Sequence, residues 1–149
     1  MSNVRVAVTA DIPQLVDAYS WLSEPPGAKP AGWDPIVAAD RLKRTIAGPD
    51  TGVLVVVEGA TVIGFCTTYL DLESVRLGQR CWVEDLAVVP GRCSDGIGAA
   101  LLSAARIWAR ASGATHLELD SSTARAEAHR SYNRHEPASH SVNFGWQTA

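Results

Sequence analysis

The chain has 149 residues, 46% hydrophobic and 19% charged, which is the composition of one globular domain spanning residues 1–149 and able to bury a core without metal or disulfide staples. Thirteen Lys and Arg against sixteen Asp and Glu give a formal net charge of −3, so the basic footprint of a nucleic-acid binder is missing. Three cysteines without a C-x-x-C pair, a first segment broken by Asp11, Asp17 and Glu24, and short apolar runs point to a soluble cytoplasmic protein with reduced thiols, no signal peptide, no membrane span and no metal site.

A short strand over Val4 to Val8 precedes a helix from Asp11 to Leu22, where Ile12, Leu15, Val16, Tyr19 and Leu22 recur at helical spacing. Residues 23–32 are rich in Pro and Gly and form a covering loop. Asp34-Pro35 opens a second helix with Ile36, Val37, Leu42 and Ile46 as its apolar face, ending near Gly48-Pro49. The β-branched runs Val53 to Glu58 and Thr61 to Leu70, joined through Gly59, read as a hairpin, and Arg80 to Val89 as the next strand. The strongest helix runs from Gly96 to Ser112, with Trp108 in the core and Gly113 as its stop. A strand at His116 to Asp120, a polar helix from Ala124 to Arg134 and a closing strand from Ser141 to Trp146 complete an α/β (α+β) pattern.

Chemistry concentrates where the strand Val83-Glu84-Asp85-Leu86-Ala87-Val88-Val89 meets Pro90-Gly91-Arg92-Cys93-Ser94-Asp95-Gly96-Ile97-Gly98-Ala99. A strand that turns into a long helix converges unpaired backbone N–H groups and the positive end of the helix dipole, an arrangement suited to phosphate. A dinucleotide fingerprint fails because Leu101 stands where its third glycine belongs. A Walker loop fails because no lysine follows Lys43.

Leu86-Ala87-Val88-Val89-Pro90 followed by Gly96-Ile97-Gly98-Ala99 resembles the GNAT superfamily of acyl-CoA-dependent N-acetyltransferases, and the order of elements resembles it over nearly the whole chain. The resemblance implies a mixed, mostly antiparallel sheet splayed in the middle and flanked by about four helices. It also implies transfer of acetyl from acetyl-CoA to a primary amine of a small molecule through a tetrahedral intermediate. Turn residues Arg92, Cys93, Ser94, Asp95, Gly96, Ile97, Gly98 and Ala99 would then meet the pyrophosphate, and Leu86, Ala87 and Val88 the pantetheine arm. Cys93 stands where the family has Gln or Arg; Arg92 lies one residue early, and Ser94 or Asp95 is expected to cap the helix.

Such a transfer needs a neutral amine, a stabilised oxyanion and a protonated leaving thiolate. Ala128-His129-Arg130-Ser131-Tyr132 is similar to the family segment that carries the acid, which makes Tyr132 the expected acid, with Ser131 replacing Phe. Relatives with Glu-Asp before the apolar segment use the Glu as base, here Glu84; Asp85 and His129 are weaker substitutes. Strict strand alternation places Glu84 on the face of Leu86 and Val88, with Asp85 opposite. The amine pocket is expected to draw on Trp21, Trp33, Trp82, Glu84, Asn143 and Trp146.

The family's Gly-Phe after the acid is replaced by Arg134-His135-Glu136-Pro137. Together with Cys93, this keeps open a catalytically impaired acyl-CoA-binding or regulatory module of the same fold. An enzyme acting on protein N-termini or lysines is a further alternative, and a homodimer is an assembly the resemblance allows.

Overall fold

The computed structural model describes residues 3–122 and 125–148. It contains five strands in one sheet and four α-helices, and divides into a larger unit ending at Leu119 and a smaller one beginning at Asp120.

In the larger unit β1 (Asn3–Val6), β2 (Thr51–Glu58), β3 (Thr61–Leu70), β4 (Arg80–Val88) and β5 (His116–Leu119) lie in sheet order one to five. The first four are antiparallel neighbours, whereas β5 runs parallel to β4. That reversal requires a crossover, and α3 (Ile97–Ala111) supplies it. Alternation along β2 sends Val53 and Val55 to one face and Leu54 and Val56 to the other. The first pair packs with Leu15, Ala18, Leu42 and Phe65 beneath α1 (Ile12–Ala18) and α2 (Pro35–Ala47); the second packs with Cys66, Val83, Leu101 and Ala105 beneath α3.

Two glycines let α3 approach the sheet. A Cβ on Gly64 would stand 2.7 Å from Ile97 Cγ2, and one on Gly52 would stand 2.9 Å from the Trp108 ring. Trp108 accordingly packs against the α3-side core, as its spacing predicted.

The first helix is shorter than expected, with 3-10 turns at Thr9–Asp11 and Tyr19–Ser23 on either side of α1. The side chain of Asp34 caps α2 by accepting from the Ile36 N–H at 2.8 Å. The apolar face expected for α2 is corrected at its start: Ile36 is 80% exposed and Val37 41%, while Ala38 and Leu42 are buried.

In the smaller unit α4 spans Ala126–Arg134, and the Ala124 start proposed for this helix lies outside the described residues. The strand expected from Ser141 to Trp146 is not formed. Residues 141–148 have no regular structure, and Val142, Phe144 and Trp146 are 70%, 74% and 83% exposed. Their period-two pattern is that of a strand, but a strand needs a pairing edge, and none is hydrogen-bonded to it among the described residues.

Candidate active site

The centre of the site is a fault in β4. Thr67 pairs with Asp85 and Thr68 with Val83, so Glu84 is the extra residue of a β-bulge with no β3 partner opposite it. Parallel pairing with β5 stops at the same place, since it runs from Arg80↔His116 to Val83↔Leu119 only. From residue 84 to 88 the β5-side edge of β4 has no pairing strand among the described residues. A backbone edge left open beside a strand is a hydrogen-bonding surface for an extended, amide-bearing chain.

The bulge overturns strict alternation. Leu86 and Val88 face α3 and Asp85 lies opposite them, on the α1 side, where Tyr19 donates its hydroxyl to Asp85 Oδ2 at 2.8 Å. Val83 and Leu86, three residues apart, both pack on the α3 side, so the bulge shifts the alternation by one residue at Glu84, which is exposed. Asp85 N–H donates to the Thr67 hydroxyl at 3.1 Å, which fixes the backbone at the fault. Burial pushes the Asp85 carboxyl above the usual carboxylate range, while the Tyr19 bond pulls it the other way. Burial and the adjacent Asp85 hold the Tyr19 phenol far above its ordinary value, so it stays protonated and donating.

An aromatic group surrounds this pair. Tyr19 stacks on Trp33 at 5.6 Å between centroids, Phe65 lies 4.9 Å from Tyr19, and Trp21 lies 6.2 Å from Phe65. Of the tryptophans expected in the amine pocket, Trp33 stacks on the tyrosine that holds Asp85, and Trp21 contacts Phe65 in the same aromatic group. Trp82 is placed in a different set of contacts: its indole N–H donates to Asp71 Oδ2 at 3.0 Å, and Arg80, which pairs with Asp71 and Glu118, lies over its ring. Asn143 and Trp146 belong to the exposed segment of the smaller unit that has no regular structure. Tyr132 is half-buried on α4 in that same unit, as is His129.

Beyond β4 the chain makes two successive turns, Arg92 N–H to Val89 O and Asp95 N–H to Arg92 O, before Gly96 starts α3. Gly91 and Gly96 have φ of +88° and +79°, values that favour glycine, and a Cβ on either would meet no atom within 4 Å. The expected cap is corrected: Gly96 occupies the N-cap position without a side-chain bond, because Asp95 is engaged by Arg92 Nε at 2.8 Å. Arg92 also donates to Glu58 Oε1 at 2.9 Å, so both sides of its guanidinium are occupied by carboxylates. Cys93 and Ser94 are exposed at the crest of the turn.

These residues fit coenzyme A through backbone donors. The Ile97, Gly98 and Ala99 amides precede the first intrahelical bond, from Ala100 N–H to Gly96 O, and open space lies beside Gly96. Gly98 leaves ordinary contact distances of 3.8 and 4.0 Å from its Cβ position to Val88 and Leu86, which keeps the turn close to the open β4 edge. Among the described residues no cluster of three or more His, Cys, Asp or Glu side chains is arranged to hold a metal ion, and no helix is long and apolar enough to cross a membrane.

The profile of the acetyltransferase (GNAT) family matches residues 15–136, from α1 to the end of α4. The chain belongs to the GNAT acetyltransferase family. This enzyme is therefore an acyl-CoA-dependent N-acetyltransferase of a family that uses acetyl-CoA. Its fold is shared with solved structures of low sequence identity. An aminoglycoside N-acetyltransferase in complex with CoA superposes with a TM-score of 0.85 at 13% identity, over 100% of this chain and 96% of that one. Glucosamine-6-phosphate N-acetyltransferase from Arabidopsis thaliana gives 0.80 at 14% identity, over 100% and 99%. An aminoglycoside acetyltransferase from an uncultured soil metagenomic sample, in complex with sisomicin, gives 0.78 at 17% identity, over 99% and 96%. No curated protein sequence matches the GNAT chain significantly.

Helical spacing gives Tyr19 only as one more apolar position and does not show its pairing with Asp85, nor that of Arg92 with Glu58. The signal that would have revealed the partner of Tyr19 is the adjacent Glu84-Asp85 within an apolar strand, since two consecutive acids cannot both obey a period of two.

Proposed function

We propose that the chain works as one domain that moves an acetyl group from acetyl-CoA by direct transfer to a primary amine of a small molecule. The observation that carries this reading is the coincidence of the Glu84 bulge, the end of β5 pairing and the open β4 edge that leads into the α3 N-terminus. Acetyl-CoA supplies an acyl group activated as a thioester. The Ile97, Gly98 and Ala99 amides hold its phosphates, and the backbone of Leu86 to Val88 holds the pantetheine amides.

Glu84 takes the proton that the amine must lose to become nucleophilic, directly or through one water. A backbone N–H at the bulge, that of Leu86 or a neighbour, stabilises the oxyanion. Tyr132 returns a proton to the departing sulfur; a phenol of ordinary pKa near 10 is a competent acid for a thiolate. The closed Arg92–Glu58–Asp95 network and Cys93 favour a cradle that holds acetyl-CoA loosely, through backbone donors and without an arginine.

A panel of primary amines incubated with acetyl-CoA, with products read by mass spectrometry and CoASH release followed in parallel, tests this reading. Amine-dependent CoASH release with an N-acetyl product supports the enzyme. Binding of acetyl-CoA without any product across the panel would overturn the small-molecule acceptor and favour a protein N-terminus or lysine.

A further inference from the structure

Of the acidic side chains in the larger unit that are not exposed, Asp11 is neutralised by Arg5, and Asp71 and Glu118 by Arg80. Asp85 is treated differently. It is partly withdrawn from water, its side-chain bond is to the neutral Tyr19 hydroxyl, and among the described residues no Lys, Arg or His pairs with it. A desolvated carboxylate without a counter-charge is incompletely compensated, and a cation arriving beside it gains what the fold has left unsatisfied.

The surroundings specify what kind of cation. The ring that donates to Asp85 stacks on Trp33 and touches Phe65, and Tyr19, Trp33 and Asp85 all keep part of their surface exposed. Aromatic faces attract ammonium groups and bury apolar substituents, whereas they strip hydroxyl groups of water without replacing its hydrogen bonds. Tyr19 occupies Oδ2 and so orients the carboxylate, leaving Oδ1 for a ligand N–H; among the described residues no protein donor bonds that oxygen.

We propose that Asp85 is the ammonium anchor of the acceptor site, that Tyr19 is its positioning residue, and that Trp33 flanks it, selecting a small amine whose cationic nitrogen sits beside an alkyl or aryl group. This rests on the acetyl-transfer reading above and narrows its acceptor away from polyhydroxylated aminosugars. Glu84, one residue earlier on the bulge, keeps the role of base, and Asp85 supplies affinity.

The test is calorimetric titration of the full chain, saturated with CoA, with 2-phenylethylamine, methylamine and glucosamine, followed by steady-state kinetics with acetyl-CoA and the same amines. Phenylethylamine should bind most tightly. Asp85→Asn, which keeps shape and hydrogen bonding, should weaken it by about tenfold or more and raise KM while kcat changes far less. Tyr19→Phe should weaken it several-fold, and Trp33→Ala should weaken phenylethylamine more than methylamine, which has no aryl group to lose contact. Unchanged CoA affinity and a cooperative melt establish that each variant is folded, and the Tyr19 and Trp33 variants decide the matter if Asp85→Asn is not. Glucosamine binding as tightly as phenylethylamine, or Asp85→Asn binding like the parent, would overturn the anchor. Asp85-dependent binding without any acetylated product would leave the anchor standing and remove the transfer reading; acetylation with KM indifferent to Asp85 would do the reverse.

Discussion

Gly64 of β3 and Ile97 of α3 meet so closely that a β-carbon on the glycine would stand 2.7 Å from the isoleucine Cγ2, and 3.2 Å from Leu101 Cδ1. Ile97 and Leu101 are buried at 2% and 0% exposure, so neither has free space to yield into. Gly64→Ala is therefore expected to lower stability by about 1–3 kcal/mol through overpacking. Because Ile97 is the first residue of α3, the displacement also moves the amides proposed to hold phosphate, and CoA affinity should fall. Denaturant melts and CoA titration check both effects. Ile97→Ala, which removes the Cγ2 methyl, should cost less in the Gly64→Ala background than in the parent, and a recovered melt with unrecovered CoA affinity would separate packing from cradle geometry.

The three thiols should react very unequally. Burial pushes the Cys66 thiol up to about 12 and the Cys81 thiol up to about 11, and both side chains are enclosed, whereas Cys93 is exposed on the turn before α3. A water-soluble thiol reagent should label one cysteine quickly in the native protein and none in Cys93→Ser. Saturating CoA should slow that labelling, since the turn is the proposed phosphate site. An unchanged rate would move the phosphate away from it. Cys93→Arg, which adds a fork of donors at the crest, should tighten CoA by about tenfold.

Acid should weaken the N-terminal edge of the sheet. The Asp11 carboxylate accepts from Arg5 at 2.7 and 3.0 Å and from the Val8 N–H at 2.8 Å, and these bonds, Arg5 first, hold its pKa below the usual carboxylate range. A depressed folded pKa stabilises fully above the unfolded value near 3.9 and loses that contribution as pH falls through the lower folded value. Asp11→Asn should cost about 1 kcal/mol at neutral pH, kept modest by the 41% exposure of the Arg5 side chain. Asp85 works in the opposite sense: its raised folded pKa favours the fold below the unfolded value and loses that gain as pH rises through the folded one. Melts of the parent, Asp11→Asn and Asp85→Asn between pH 3 and 8 resolve the two signs, with the Asp11→Asn deficit shrinking at low pH and any Asp85→Asn advantage growing above it.

Much of the architecture was legible because local signals agreed with the tertiary outcome. The β-branched runs of β2 and β3, the Asp34-Pro35 helix start and the glycines around α3 each demand one local structure, and packing did not contradict them. The closing strand was misread because alternation describes a side-chain pattern, whereas a strand exists only with a partner edge. Within the site, the Glu84 bulge escaped for a related reason. A bulge is a property of two strands in register, and the letters of β4 alone do not state which residue of β3 lies opposite. The Arg92 pairs were equally hidden, since Glu58 is 34 residues away and meets Arg92 only once the sheet has formed.

The acid assigned to Tyr132 is the part of the mechanism most open to a single substitution. Its phenol is proposed to protonate sulfur only after the amine has attacked, so removing the hydroxyl leaves ground-state binding of acetyl-CoA untouched and acts on turnover alone. Tyr132→Phe should thus lower kcat by about 10²-fold, the usual scale of one general acid, with the Kd of acetyl-CoA and the melting temperature close to those of the parent. Stopped-flow measurement with a thioester of lower leaving-group pKa sharpens the assignment. A more stable thiolate needs less help, so the gap between Tyr132→Phe and the parent should narrow with that donor. A gap that is independent of the leaving group would assign the residue to positioning, and undiminished turnover with acetyl-CoA would transfer the acid's role to another side chain.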